Sequence, residues 1–461
     1  MNSTIFSKSN SVITDQSCPA CGNGKAVHLL ELDAKKFYLG KLELVECLNC
    51  KTGFYLGEDP VVGYDYKGFE ESYWMNYVQS GAGIDAMLQP LIALGTRAKG
   101  SLLDIGCGFG FVPHFWQTMG YGEAVGLESS YYGRKGKEIL GVDIYHSYYN
   151  QCEEIKERKF DIVFSSEVIE HVRDPLAFIN EIGQGLKKDG ILVLTTPSVT
   201  CIKPETSETT LIATLSPGFH YFVLSKKALE EMLRNAGYTE VTVVDSGHRL
   251  FAWASKAPFP SPDFGNFNRD TYFKYLSELS SSNDGHVKCG ALYRLLKDLL
   301  NTGRGNEAGD VYQLFSQSAL NTYNIDFLNP ELSETHRQLR KDLDNEQFPA
   351  WLGCGLLFAG IYRGNELGDT SGKVRLLRAA IDVMQREIEI GYQFAQEPYH
   401  FMPLARHTYQ QALLELFERD ISGASAITPS RISINTIKRL NETFKHDQVR
   451  SCWKKFLPFL H

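Results

Sequence analysis

Two CxxC pairs near the start of the chain are typical of metal chemistry. Cys18 and Cys21 form the first pair, and Cys47 and Cys50 form the second after 25 intervening residues. Each CxxC turn directs two sulfur atoms to one side, so two turns supply the four thiolates of a tetrahedral Zn²⁺ site. A redox-active CxxC would need no second pair. Because four thiolates fill every coordination position, we expect a structural Zn²⁺ that stabilises a small N-terminal zinc ribbon.

A glycine-rich segment is the second chemical feature: Asp104-Ile105-Gly106-Cys107-Gly108-Phe109-Gly110. Gly106 and Gly108 allow the backbone to approach a ligand closely. Glu128, at the end of the next predicted strand, is placed to accept hydrogen bonds from ribose hydroxyls. Pro113 stands where a nicotinamide dinucleotide fingerprint has its third glycine, which argues against a dinucleotide. An acid two positions before the first glycine suits a cationic or amino-acid ligand.

Alternating strands and helices must position these residues. The hydrophobic pattern predicts five strands separated by helices, followed by two strands joined by a tight turn. The predicted strands are 101–105, 123–128, 142–146, 160–164, 191–194, 240–244 and 250–254. This pattern indicates a doubly wound α/β sheet with one reversed strand at its edge.

Four segments of the chain resemble, in the right order, the motifs of class I S-adenosylmethionine-dependent methyltransferases. They are 102–110, 125–128, 160–172 and 190–197, and the resemblance covers about residues 95–256. It implies a Rossmann-like sheet whose last strand is antiparallel and which binds S-adenosyl-L-methionine. Asp104 and the backbone of Gly106 and Gly108 would hold the amino-acid end, and Glu128 the ribose. Ser166 and Glu167 would lie beside the cofactor.

A second resemblance concerns the CxxC unit together with Glu71-Ser72-Tyr73-Trp74. Both are similar to bacterial methyltransferases that have an N-terminal zinc-binding domain, several of which act on sugars. This resemblance implies a small-molecule acceptor, with a sugar or glycan precursor preferred, methylated at O, N or C. The segment Ser165-Ser166-Glu167-Val168 lacks the motifs that adenine-N6 and cytosine-C5 methyltransferases would have at this place.

The segment 198–224 is long for a strand-to-helix connection, so we expect it to contact the acceptor. Its His220 is our candidate general base or substrate ligand, because histidine takes up a proton near neutral pH. A structural role for His220 is the alternative. For His171, bracing of the loop after the fourth strand is the favoured interpretation.

The chain divides into four predicted units: a zinc ribbon at 1–60, an aromatic-rich connector or lid at 61–100, the methyltransferase core at 101–257, and a helical domain of unknown role at 258–461. In the last unit, residues 304–310 recur almost letter for letter as 363–369, which predicts two similar helix-turn-helix units. We expect this all-α unit to bind a protein partner or to self-associate.

Charge and hydrophobicity constrain the partners. The net charge of −8 disfavours a nucleic-acid binder, which needs a basic surplus. No apolar run is long enough for a membrane span, and the polar first 16 residues indicate a loose tail rather than a signal peptide. We therefore expect a cytoplasmic enzyme. Two alternatives stay open: an RNA methyltransferase that uses the zinc ribbon as a reader, and a non-catalytic scaffold with the methyltransferase fold.

Overall fold

Thirteen strands occur in the described parts of the computed structural model, which are residues 4–6, 12–13, 16–33, 40–57, 73–328, 349–390 and 396–424. The strands are β1 (Thr4–Phe6), β2 (Val12–Ile13), β3 (Ala26–Asp33), β4 (Lys41–Cys47), β5 (Gly53–Tyr55), β6 (Leu102–Ile105), β7 (Ala124–Leu127), β8 (Ile144–Tyr145), β9 (Phe160–Ser166), β10 (Leu186–Pro197), β11 (Phe222–Val223), β12 (Glu240–Asp245) and β13 (Arg249–Ser255).

Fourteen α-helices lie in the same parts of the chain. They are α1 (Tyr73–Gln79), α2 (Ile84–Ile92), α3 (Phe111–Thr118), α4 (Tyr131–Leu140), α5 (Glu153–Lys156), α6 (Pro175–Gly183), α7 (Glu208–Leu215), α8 (Lys226–Asn235), α9 (Arg269–Leu279), α10 (Gly285–Asn301), α11 (Gly309–Tyr323), α12 (Leu352–Asn365), α13 (Thr370–Ile390) and α14 (Gln396–Ala424). None of the helices described is long and apolar enough to span a membrane.

The central sheet has seven strands in the order β12-β13-β10-β9-β6-β7-β8. All pairs from β10 to β8 are parallel, and β13 is antiparallel to both of its neighbours. This confirms the predicted α/β class with an antiparallel last strand. We predicted that the reversed strand lies at the edge of the sheet, and this was wrong: β13 lies between β12 and β10. The register pairs β13 with β10 over its whole length, which leaves β12 outside it.

Local sequence signals begin the helices around this sheet. The Asp174 side chain accepts a hydrogen bond from the Ala177 N–H at the start of α6, where Pro175 occupies the first helical position. Ser225 caps α8 in the same way through the Ala228 N–H. These caps start each helix directly after its strand or loop, so that its apolar side packs on the sheet.

The second sheet contains β1 to β5 and β11, which lies in the chain between the central-sheet strands β10 and β12. Phe222 pairs with Phe54 and Val223 with Gly53. The segment Lys41–Glu46, whose residues largely alternate between charged and apolar, lies in β4. The loose-tail prediction is wrong for 4–6 and 12–13, because both short segments form backbone hydrogen bonds with β3. Edge pairing of this kind needs little side-chain patterning, which explains why the polar sequence did not reveal it.

The helical part packs directly on the α/β unit that contains the central sheet. One continuous cluster of buried side chains includes Trp116 and Trp253 from the sheet side, and Tyr275 and Leu292 from α9 and α10. The hydrophobic core therefore crosses the predicted boundary at 257/258. The two repeated loops also touch each other, since a Cβ added to residue 305 would lie 2.2 Å from the Glu366 carboxylate. The predicted helix-turn-helix units are confirmed.

Helix α10 also positions α1. A Cβ on Gly290 would lie 2.1 Å from the Val78 carbonyl oxygen, so only glycine permits this close approach of the two helices. The side-chain Nε2 of Gln79, in α1, donates a hydrogen bond to the Tyr323 hydroxyl at 3.0 Å. Its side-chain Oε1 accepts a hydrogen bond from the Ala350 N–H at 2.9 Å. The helical part thus holds α1 in place against the α/β unit.

Candidate active site

The glycine turn and Glu128 meet at the carboxyl ends of β6 and β7. The backbone N–H of Gly108 donates to Glu128 Oε2 at 3.0 Å, and the N–H of Ser130 donates to Oε1 at 2.7 Å. Both carboxylate oxygens are therefore fixed beside the turn. A carboxylate oxygen has two lone pairs, so each can still accept a bond from a ribose hydroxyl.

The turn needs glycine for two separate reasons. Gly106 and Gly108 have φ angles of 72° and 54°, in the left-handed region that other residues rarely adopt. A Cβ on Gly106 would also lie 2.5 Å from Val168 Cγ2, whereas a Cβ on Gly108 would meet only Tyr77, at 3.7 Å. The Val168 side chain thus fills the space beside Gly106. The space at Gly108 is open enough for a ligand to approach the backbone.

Asp104 is the penultimate residue of β6, just before this turn, and is almost wholly buried, with 2% of its surface exposed. Burial, and secondarily the charge of Glu128, raises the pKa of its carboxyl group well above the ordinary value. A cationic ammonium group beside it would reverse part of this effect by favouring the ionised form. The pair of acids around a glycine cradle therefore fits a ligand that carries both an ammonium group and a ribose.

Aromatic residues of α1 cover the turn. Trp74 stacks on Phe109 with ring centroids 5.7 Å apart, and the Tyr77 ring packs against Tyr132 at 5.5 Å. Burial raises the pKa of Tyr77, as do the charges of Tyr132 and Asp104, so its hydroxyl stays protonated. The sequence placed Tyr77 in a predicted aromatic-rich connector or lid. The structure places its hydroxyl next to Gly108.

Ser166 is the last residue of β9 and Glu167 follows it, one strand from Asp104. The Glu167 carboxylate contacts the Arg249 guanidinium at 3.0 Å and accepts a bond from the Thr195 hydroxyl at 3.0 Å. The backbone φ of Glu167 is 56°, a strained value for a residue other than glycine, and such strain is often kept at functional sites. Both oxygen-rich side chains lie at the carboxyl edge of the sheet, and Glu167 is directed toward β13. Arg249 was not identified from the sequence.

His220 lies in a buried corner with Glu170 and His171. The two imidazole rings are 4.6 Å apart, and His220 is only 5% exposed. Burial, and next the neighbouring His171, lowers the pKa of His220 to about 3. Burial also raises the pKa of Glu170 and lowers that of His171. A ring with so low a pKa is neutral at physiological pH but is a weak base, so the general-base role of His220 stays a prediction.

The four cysteines of the CxxC pairs lie together. The sulfur atoms of Cys18 and Cys50, and those of Cys21 and Cys47, are 3.6 Å apart, and all four lie within 4.8 Å of one another. Zn–S bonds of about 2.3 Å in a tetrahedron require S–S separations of roughly 3.8 Å. The cysteine residues therefore fit a Zn²⁺ ion that binds four thiolates.

This cysteine unit contacts the segment that carries His220. The Ser225 hydroxyl donates to the Cys50 carbonyl oxygen, and the Lys227 ammonium donates to the Asn49 carbonyl at 2.8 Å. The Tyr55 hydroxyl donates to the Leu215 carbonyl at 3.0 Å. Together with the pairing of β5 and β11, these bonds fix both ends of the chain around His220. A role for the cysteine unit in positioning 215–227 was not apparent from the sequence.

Residues 82–243 match the family model described as "Methyltransferase domain". Among sequence relatives, the tRNA U34 carboxymethyltransferase of Photobacterium profundum is 31% identical over 186 residues, which cover 35% of this chain and 55% of that protein. The enzyme of the same name from Cronobacter sakazakii is 30% identical, with 37% and 58% covered. The chain thus spans about half the length of the curated relatives it matches.

Solved structures of methyltransferases are also similar, at lower levels. A SAM-dependent methyltransferase of Thermotoga maritima, titled a possible histamine N-methyltransferase, is 18% identical with a TM-score of 0.33 and covers 41% of this chain and 96% of that one. An O-methyltransferase family protein of Burkholderia thailandensis is 14% identical, also with a TM-score of 0.33, and covers 40% and 58%. Similarity at this level carries no functional argument.

Proposed function

We propose that this chain, whose residues 82–243 form a class I S-adenosylmethionine-dependent methyltransferase domain, transfers a methyl group from S-adenosyl-L-methionine to a polar acceptor held at the carboxyl edge of the sheet. The observation that carries the proposal is the fixed cradle of Gly108 and Glu128, with Asp104 buried beneath it. Asp104 is expected to bind the ammonium group of the donor, and Glu128 its ribose.

S-adenosyl-L-methionine, when bound, supplies a methyl group that its sulfonium already activates. The protein therefore mainly has to align the acceptor with that group and to exclude water. The Gly106–Gly108 backbone fixes the donor's position, while Tyr77 and Trp74 cover it. We assign the acceptor to the region between β10 and the segment 198–224, where the Thr196 hydroxyl donates to Glu170 and His220 Nε2 lies 3.9 Å from the same carboxylate.

A small molecule of the sugar or glycan-precursor class is our first candidate acceptor. The corner around His220 is enclosed, since Thr196 and His220 are both buried. Lys41 and Lys51 of the cysteine unit pair with Glu31 and Glu46 at 2.6 and 3.0 Å, which reduces the positive charge that these two lysines offer to a polyanion. An electrostatic RNA-binding surface needs unpaired basic groups.

RNA is the second candidate acceptor, and the names of the sequence relatives favour it. Those relatives match 35% and 37% of this chain and are named for an activity on tRNA. An RNA-modifying role would require the cysteine unit or the helical part to bind RNA. The net charge of −8 counts against that interpretation.

One labelling experiment tests the activity and its acceptor class. Full-length protein is incubated with methyl-labelled S-adenosyl-L-methionine and, separately, with cellular RNA and with a low-molecular-mass extract. We expect label in low-mass material, and label that ribonuclease releases would instead establish the RNA candidate. If calorimetry detects no binding of S-adenosyl-L-methionine, the methyltransferase proposal fails and the scaffold alternative replaces it.

We also propose that Cys18, Cys21, Cys47 and Cys50 bind one structural Zn²⁺. The converging sulfur atoms support this proposal. Because all four positions would be filled by thiolates, the ion would stabilise the fold and would take no part in the reaction. Metal analysis of the purified protein tests it directly.

A further inference from the structure

Glu170, His171 and His220 bring three metal-ligating side chains together outside the cysteine unit. His220 Nε2 lies 3.9 Å and His171 Nε2 lies 4.0 Å from the same atom, Glu170 Oε1. The ligating atoms all lie within 4.8 Å of one another. Ligands about 2.0–2.2 Å from one ion are separated by roughly 3–4 Å, so the spacing is that of a shared ion rather than of direct hydrogen bonds.

Backbone carbonyl oxygens fix both imidazole rings so that the Nε2 atom of each ring faces Glu170. His220 Nδ1 lies 3.0 Å from the Thr214 carbonyl oxygen, and His171 Nδ1 lies 2.9 Å from the Phe219 carbonyl oxygen. A carbonyl oxygen only accepts, so each Nδ1 carries the proton and each Nε2 carries a lone pair. Metal-binding histidines usually have this arrangement, in which the second nitrogen donates to a carbonyl or carboxylate.

Glu170 supplies an independent observation. Its side chain is fully buried, and its Oε2 accepts a hydrogen bond from the Thr196 hydroxyl at 2.9 Å. No described residue donates a hydrogen bond to Oε1, which is the atom that faces both Nε2 positions. A buried carboxylate oxygen without a partner destabilises the fold, and a bound cation would remove that cost.

We propose that Glu170, His171 and His220 form a binding site for a divalent first-row transition-metal ion. Two imidazoles and one carboxylate suit Mn²⁺, Fe²⁺ or Zn²⁺, and three protein ligands leave coordination positions open. Glu167 is not a ligand here because its carboxylate pairs with Arg249.

The open positions would bind an oxygen atom of the acceptor. Thr196, which hydrogen-bonds to Glu170, directly follows Thr195, which hydrogen-bonds to Glu167 at the cofactor edge. The ion would thus lie at the same edge of the sheet as the methyl donor. This assignment of the ion's ligand rests on the proposed function, whereas the metal site itself does not.

Manganese titration of the full-length protein tests the site. Mn²⁺ binds thiolates poorly, so the cysteine unit should not compete for it. We expect one Mn²⁺ per chain, measured by calorimetry and by the loss of the free-ion electron paramagnetic resonance signal. Glu170→Gln and His220→Gln should abolish this binding. Thr196→Val should weaken it by about 10- to 100-fold, because it removes only the group that orients Glu170.

His407→Gln is the matched control, since His407 is exposed on α14, and it should bind Mn²⁺ as the wild type does. His171→Gln, a less buried change, replaces any variant that fails to fold. Wild-type protein that binds no Mn²⁺, or variants that bind it unchanged, would overturn the site. The affinity for S-adenosyl-L-methionine is measured in parallel: its loss with Mn²⁺ binding intact refutes only the proposed function.

Discussion

Asp104→Asn should change cofactor affinity and protein stability in opposite directions. The substitution keeps the shape of a side chain that is 2% exposed but removes its negative charge. If the charge holds the ammonium group of S-adenosyl-L-methionine, binding weakens. If the buried charge destabilises the ligand-free protein, its removal stabilises the fold. A purely structural residue would not separate these two effects.

The expected loss of affinity follows from one charged hydrogen bond. Such a bond contributes about 1.5–3 kcal/mol, which corresponds to roughly a 10- to 100-fold increase in Kd. The expected gain in stability follows from the raised pKa of Asp104, which burial and then Glu128 cause. Relieving a buried, uncompensated acid is worth about 1–3 kcal/mol at neutral pH.

The pH dependence has a definite sign. As pH rises above the ordinary carboxyl pKa of 3.8, the unfolded chain loses the Asp104 proton while the folded chain retains it. Wild-type stability contributed by this group therefore falls as pH rises, until the raised pKa of the folded state is passed. Asp104→Asn removes this slope. Its advantage over wild type should grow as pH rises above about 4, until the raised pKa of Asp104 in the folded state is passed.

Asp161→Asn is the matched control at the opposite end of the sheet. The Asp161 carboxylate accepts bonds from the Lys187 ammonium and from the Ser101 N–H and hydroxyl, and these contacts lower its pKa despite some burial. The same substitution there should destabilise the fold and leave cofactor affinity unchanged. Urea unfolding at several pH values and calorimetry with S-adenosyl-L-methionine measure both quantities. Unchanged affinity of Asp104→Asn at pH 7.5 would refute the cofactor role.

Three further variants test the cradle, its cover and the cysteine unit. Gly106→Ala should destabilise the fold by about 2–4 kcal/mol, from the left-handed backbone and the overlap with Val168, and adding Val168→Ala should recover the overlap part in urea unfolding. Tyr77→Phe should keep the packing on Tyr132 and leave the melting temperature unchanged. A Kd for S-adenosyl-L-methionine that rises by up to about tenfold would then show that the Tyr77 hydroxyl acts at the cofactor. Cys21→Ser should lose about one zinc ion per chain by metal analysis. It should also weaken Mn²⁺ binding, because the cysteine unit positions the segment 215–227, which carries His220. Metal-free wild-type protein with a normal fold would refute the zinc site.

The sequence was informative wherever local rules act. Glycines at positions that need a left-handed backbone, the acid at the end of each early strand, and the strand-helix alternation predicted the α/β class and brought Asp104 and Glu128 together at one edge. The CxxC spacing likewise predicted the convergence of four sulfur atoms. In each case the chemistry depends on neighbours in sequence or on the fixed geometry of parallel strands.

Only the tertiary structure decided which distant segments complete these units. β11 joins the cysteine sheet, α10 holds α1 over the glycine turn, and the reversed strand lies inside the sheet instead of at its edge. The sequence singled out His220 as a lone candidate and left His171 as a brace. Its meeting with Glu170 depends on how the segment 198–224 is fixed between two sheets. Such contacts arise from long-range packing and backbone pairing, which have no periodic signal in the chain, whereas the cradle at Gly106 and Gly108 is encoded within seven consecutive residues.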